Sequence, residues 1–153
     1  MAMNEKTVEI LNDLVQINLD RVRGYTKAAE ETNSDDADLR ALFTDFANES
    51  RGYAEELSSL VSNLGGEPAT DSTQRGKIYR AWMDMKAVVT GSNRKAILGS
   101  CEYGEDAAQK QYERALEDSE DLPADIRQVI VNQKNKLRIG HDRVKAMRDS
   151  QHA

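Results

Sequence analysis

The side chains in this sequence with chemistry beyond packing are carboxylates and a histidine that fall on or beside apolar helix faces. On a helical wheel Glu105 lies within the stripe of Ile97, Cys101, Ala108, Tyr112 and Ala115. His141 lies at the edge of the stripe of Ile126, Val129, Ile130, Leu137, Val144 and Met147, which also carries Gln133 and Gly140. An inward carboxylate and an imidazole are metal ligands, so Glu105 and His141 are the candidate metal-binding pair. Asn18, Ser50 and Tyr53 fall on the apolar faces of their own segments. Together with Glu105 they form a candidate interior polar cluster whose members can satisfy one another, with His141 at its margin. A carboxylate so placed can also anchor a small molecule between helices, with Tyr53 as a second polar contact.

Other chemistries lack their residues. His141 and His152 are the only histidines, and there is no Gly-x-Ser-x-Gly, phosphate-binding glycine loop or Cys/His array. Cys101 is the single cysteine, which rules out an internal disulfide and points to a buried thiol in a reducing compartment. Glu49 and Glu102 adjoin inward positions, but the wheel puts them at or beyond the edge of their apolar faces, where solvated carboxylates are expected.

The elements that must position these residues are long helices. Only two prolines and nine glycines occur, mostly between periodic segments. The first helix is predicted from Asn4 to Thr32, with Leu11, Leu14, Val15, Val22, Tyr25 and Ala29 inward and Asp13, Asp20 and Lys27 outward. A polar turn over Asn33 to Asp36 offers N-caps. The second helix runs to about Leu64 on Leu39, Phe43, Phe46, Tyr53, Leu57, Leu60 and Val61, and is stopped by Gly65 and Gly66. After a loop with Pro68, a short helix is predicted over 74–90, striped by Ile78, Trp82, Met85 and Val89. Ser92 can cap the third long helix, which runs to about Ser119, and Pro123 opens the fourth.

The two halves repeat. A shift of 87 positions carries Tyr25 onto Tyr112, Ile10 onto Ile97, Ala28 onto Ala115, Asp38 onto Asp125, Arg40 onto Arg127 and Arg51 onto Arg138 without a gap. The expected fold is therefore all-α: one domain over residues 1–153, in which a helix hairpin is duplicated about a pseudo-twofold axis. Two antiparallel hairpins joined by a long crossover with a short extra helix make a ferritin-like four-helix bundle.

Di-iron bundles of that kind place an inward Glu on two helices and Glu-x-x-His on the other two. Ferritin-like sequences often carry a tyrosine seven residues after the first and third Glu, and Tyr25 and Tyr112 then mark Asn18 and Glu105. The closing glycine of helix two marks Ser50 and Tyr53, and the 87-residue shift carries these to Leu137 and Gly140. The resemblance thus implies ligand positions reading Asn18, Ser50-x-x-Tyr53, Glu105 and Leu137-x-x-Gly140, with Glu105 the only carboxylate. Arg138-Ile-Gly-His141 can be read as a degraded Glu-x-x-His of shifted register, but arginine, always protonated, is no ligand.

Over nearly its whole length the chain resembles a bacterial family of uncharacterised four-helix-bundle proteins in the ferritin-like superfamily, catalogued as a domain of unknown function. The stretches that carry this are Leu11-Asn-Asp-Leu, Tyr25-Thr-Lys-Ala-Ala-Glu30, Leu64-Gly-Gly-Glu-Pro68, Arg80-Ala-Trp-Met-Asp84, Glu102-Tyr-Gly-Glu-Asp106, Tyr112-Glu-Arg-Ala-Leu116 and His141-Asp142. The resemblance implies a bacterial, cytoplasmic protein with no assigned reaction.

Charge and composition narrow the partners. Of 153 residues 31% are charged and 39% hydrophobic, and the formal charge is −6. That balance fits a packed core with solvated faces and disfavours nucleic acid or an anionic membrane. The basic run of helix four, from Lys134 to Arg148, reads as a solvated face among acidic neighbours. No stretch has the length of a membrane span, and the first residues do not read as a signal peptide. The leading expectation is a non-catalytic binding, structural or stress-associated module without a cofactor, acting through a protein partner or self-association as a homodimer. The alternative is an atypical metal-binding or redox protein with a site near Glu105.

Overall fold

A computed structural model describes residues 2–32, 34–70, 94–117 and 122–150. Four long helices carry the fold: α1 (Ala2–Glu31), α2 (Ala37–Asn63), α3 (Arg94–Glu117) and α4 (Ala124–Asp149). The short helix expected over 74–90, with Trp82, and the cap expected at Ser92 lie outside the described residues, as does His152. α1 packs along α2 and α3 along α4, and the pairs meet through α1–α3 and α2–α4. This is the all-α, ferritin-like bundle of two helix hairpins. No described helix is long and apolar enough to cross a membrane.

The turn between α1 and α2 is a 3-10 turn, Ser34–Asp36. Asp36 stands at the N-cap of α2 without a side-chain capping bond. It pairs instead with Arg94, 3.1 Å away, so its carboxylate ties α3 to the first hairpin. α2 ends where Gly65 turns to φ +83°, a conformation that favours glycine, and Gly66 N–H donates back to the Val61 carbonyl. The loop that follows is held to α1 by Asn12, whose amide donates to the Glu67 carbonyl and accepts from Ala69 N–H. Pro123 is the N-cap of α4, one position outside the first turn where the sequence suggested it.

The core is in two parts. One contains Leu11, Leu14, Leu57, Val61, Tyr112, Ile126, Ile130 and Leu137. The other contains Tyr25, Leu39, Leu42, Phe43, Phe46, Leu98, Cys101 and Val144. Between them along the helices lie buried polar residues: Asn18, Asp20 and Arg21 on α1, Ser50 on α2, Glu105 and Gln109 on α3, and Gln133 on α4. Asp20, expected to point outward, is fully buried. The reason is geometric: α1 is enclosed by α2 on one side and α3 on the other, so its buried arc through Ile17, Asp20, Gly24 and Ala28 is wider than its apolar stripe.

Candidate functional site

The polar layer is organised by Arg21, which the wheel places with Asn18 and Tyr25 on one face of α1. Its side chain is fully buried. Nε and Nη2 both donate to Glu105 Oε1, at 3.0 and 2.6 Å. Nη1 donates to Ser50 Oγ at 2.9 Å, Glu49 Oε1 at 2.8 Å and the Phe46 carbonyl at 3.2 Å. The guanidinium carbon lies 4.7 Å from the Phe46 ring centroid and 5.3 Å from that of Tyr25. Tyr25 hydroxyl donates to the same Glu105 Oε1 at 3.0 Å.

Burial alone would depress the Arg21 pKa, but Glu105, then Tyr25 and Glu49, reverse this and leave it raised. Arg21 is thus a permanent interior cation. Burial, reinforced by Glu105, pushes the Tyr25 hydroxyl and the Cys101 thiol up, so both stay neutral. Tyr53 is half-buried and also raised, by burial and then by Glu49.

A second chain of bonds lies beside the first. Asn18 Nδ2 donates to Tyr112 Oη at 2.8 Å, Tyr112 donates to Gln133 Oε1 at 2.8 Å, and Gln133 Nε2 reaches Glu56 at 2.8 Å. Of the polar residues singled out from sequence, Ser50 and Glu105 bond Arg21 and Asn18 bonds Tyr112. Glu49 is only partly exposed and is engaged by Arg21, against the expectation of a solvated carboxylate. Its helix edge faces the guanidinium rather than open water. Among the described residues, Glu105 Oε2, Asn18 Oδ1 and Gln109 Oε1 are buried and accept no hydrogen bond.

His141 is placed elsewhere. Its Nε2 lies 2.6 Å from Asp106 Oδ1, and its Nδ1 3.0 Å from Asp142 Oδ1. Glu102 and Asp106, one helical turn apart on α3, join it in a group whose ligand atoms all lie within 4.8 Å of one another. His141 thus meets Asp106 and Glu102, whereas Glu105 Oε1 faces Arg21, because Glu105 points into the bundle while its neighbours project to the α3–α4 rim. Glu102, expected to be solvated, is largely buried and pairs with Arg148. Two carboxylates and an imidazole are a donor set that first-row divalent ions accept.

Sequence reading missed both organisers. Arg21 stands three residues after Asn18 and four before Tyr25, a spacing that fixes its face, but no local pattern names the partners that let an arginine be buried there. The rim triad carries one sequence signal, the i,i+4 carboxylates Glu102 and Asp106. The histidine joins them only through the register of α3 on α4.

Solved structures share this fold. A Mycobacterium smegmatis Dps1 mutant matches with a TM-score of 0.80 at 13% identity, over 95% of this chain and 97% of that one. The Desulfovibrio desulfuricans bacterioferritin, described with its diiron site in different catalytic states, matches with a TM-score of 0.76 at 21% identity, over 97% and 81%. A ferritin-like diiron-carboxylate protein of Bacillus anthracis matches with a TM-score of 0.71 at 15% identity, over 96% and 98%. These identities carry the fold alone. No curated protein sequence matches. The model of a bacterial four-helix-bundle family described as a domain of unknown function, DUF2383, matches residues 6–118, and the chain belongs to that family.

Proposed function

We propose that this protein is an atypical metal-binding bundle whose ion sits off-centre, on Glu102, Asp106 and His141, rather than between the four helices. The carrying observation is the convergence of those three ligand atoms within 4.8 Å across two helices. The bundle centre does not fit a di-metal group. The positions that the resemblance gives to carboxylate and imidazole ligands hold Asn18, Ser50, Tyr53, Leu137 and Gly140, and Glu105 already serves Arg21. At the rim, a divalent ion would sit between His141 and Asp106 in place of their close contact and draw in Glu102. The remaining coordination positions would fall to solvent, as in an open metal site.

The test is calorimetric titration of untagged protein with zinc and manganese chlorides, alongside His141→Ala and Glu105→Gln. The reading expects one ion per chain, lost in His141→Ala and kept in Glu105→Gln. No saturable binding by the native chain sinks it and leaves the non-catalytic module, acting through a partner or self-association, as the better account. Binding lost in Glu105→Gln and kept in His141→Ala would move the ion to the centre.

A further inference from the structure

A different observation, independent of the rim triad, concerns the middle of the bundle. One guanidinium bonds two of the six positions that the family resemblance gives to di-iron ligands and stands beside a third. Arg21 bonds Glu105 and Ser50. A β-carbon at Gly140 would stand 3.5 Å from its Nη2, so a larger residue there would crowd it. The acceptors surrounding it exceed the donors available: Glu105 Oε1 takes three bonds while Oε2 of the same carboxylate takes none from the described residues. A layer of surplus acceptors lying between two apolar cores needs a positive charge at its centre.

We infer that Arg21 is the resident cation of this bundle, its guanidinium filling the space and balancing the carboxylate that a metal ion would otherwise hold. The frame keeps an internal cation site, and the chain supplies the cation covalently. Three features make the site selective for a planar organic cation. Glu105 takes the fork on one edge. Ser50 and the Phe46 carbonyl receive the opposite nitrogen. The rings of Phe46 and Tyr25 lie beside the plane. Glu49, partly exposed, supplies a second negative charge on the side nearer solvent.

Truncating the side chain should therefore uncover a binding site rather than merely a hole. Arg21→Ala leaves Glu105 buried without its counter-charge, and the melting temperature should fall by roughly 10 °C. Low-millimolar guanidinium chloride should then recover a saturable part of that loss, as a ligand that binds only the folded state does. Urea is the control, since it has the same planar shape without the charge. Native protein should respond to neither additive at those concentrations.

The decisive comparison is Arg21→Ala with Glu105→Gln, which removes the anion and should abolish the rescue. Equal effects of guanidinium and urea, or rescue that persists without the Glu105 charge, would overturn the inference. If Arg21→Ala does not fold, Arg21→Met combined with Glu105→Gln replaces the pair by neutral groups of similar size. That double variant should be more stable than Glu105→Gln alone, which leaves the buried guanidinium only the partly exposed Glu49 as counter-charge. A double variant no more stable than that single one would overturn the inference equally.

Discussion

Tyr25 on α1 reaches across the bundle to Glu105 on α3, and its repeat mate Tyr112 on α3 reaches back to Asn18 on α1, the repeat mate of Glu105. The relation holds for the other helix pair too. Phe46 on α2 lies beside Gly140 on α4, and Gln133 on α4, the mate of Phe46, bonds the carbonyl of Tyr53, the mate of Gly140. The 87-residue repeat is thus a two-fold repeat of the architecture, in which each half presents its tyrosine to the other.

The two tyrosines differ in what their hydroxyls satisfy. Tyr112 both accepts from Asn18 and donates to Gln133, so Tyr112→Phe strands the Gln133 oxygen, leaves Asn18 only its bond to the Leu14 carbonyl, and should cost about 2 kcal/mol. Tyr25 donates to a Glu105 oxygen that Arg21 also serves, so Tyr25→Phe should cost about 1 kcal/mol. Urea unfolding midpoints of the two variants decide this. A Tyr112→Phe variant no weaker than Tyr25→Phe would remove Tyr112 from its bridging role.

The fold was legible because its signals are periodic. Apolar residues at helical spacing, Gly65 and Gly66 at one stop and Pro123 beside another start place the helices, and the repeat pairs them. The inward position of Glu105 followed from the same wheel. The burial of Asp20, expected outward, and of Arg21 has no local signal. A charged residue is buried when partners on other helices hold it, and those partners, Glu105, Ser50 and Glu49 for Arg21, lie 28 to 84 residues away in sequence. The meeting of His141 with Asp106 likewise depends on how α4 slides along α3, which no local pattern states.

Alkaline pH should unfold the bundle. Unfolded tyrosines ionise near 10.0 and the cysteine thiol near 9.0, while burial holds Tyr25, Tyr112 and Cys101 higher in the folded state. Between those values the unfolded chain binds fewer protons than the folded one, so stability falls as pH rises. The contribution is complete below pH 9.0 and is lost progressively above it, more steeply past 10.0. Phenolate absorbance followed with helical circular dichroism tests this. The buried tyrosines should ionise together with loss of helix, and ionisation of Tyr25 or Tyr112 in a still-helical protein would contradict their burial.

The helical glycines separate into two kinds. Beside Gly52 and Gly99 no described residue stands within 4 Å of an added β-carbon, so Gly52→Ala and Gly99→Ala should each stabilise by up to about 1 kcal/mol. At Gly140 the same carbon would stand 3.2 Å from Phe46 Cε1. That ring is held against Tyr25, with centroids 5.1 Å apart, and against Arg21, so it has little room to give. Gly140→Ala should forfeit the helical gain and lose about 1 kcal/mol net through the strained contact. Thermal unfolding of the three variants reads the contrast, and a Gly140→Ala variant as stable as the other two would show that the centre has slack around Phe46 and Arg21.

Arg148 should regulate metal capture at the rim. It pairs with Glu102 and with Asp149, and Glu102 is one of the three ligands proposed there. An ion must therefore compete with a guanidinium for that carboxylate. The Arg148 side chain is 30% exposed, so the pair is worth no more than about 1 kcal/mol. Arg148→Gln should then tighten zinc binding by up to about fivefold at low ionic strength. Salt weakens the native pair but has no such pair to act on in the variant, so the difference should narrow as sodium chloride is added. Glu102→Gln should weaken binding in both backgrounds and cancel the effect of Arg148→Gln. If Arg148→Gln left affinity unchanged while Glu102→Gln reduced it, the arginine would be a bystander. If neither changed it, the ion would rest on Asp106 and His141 without Glu102.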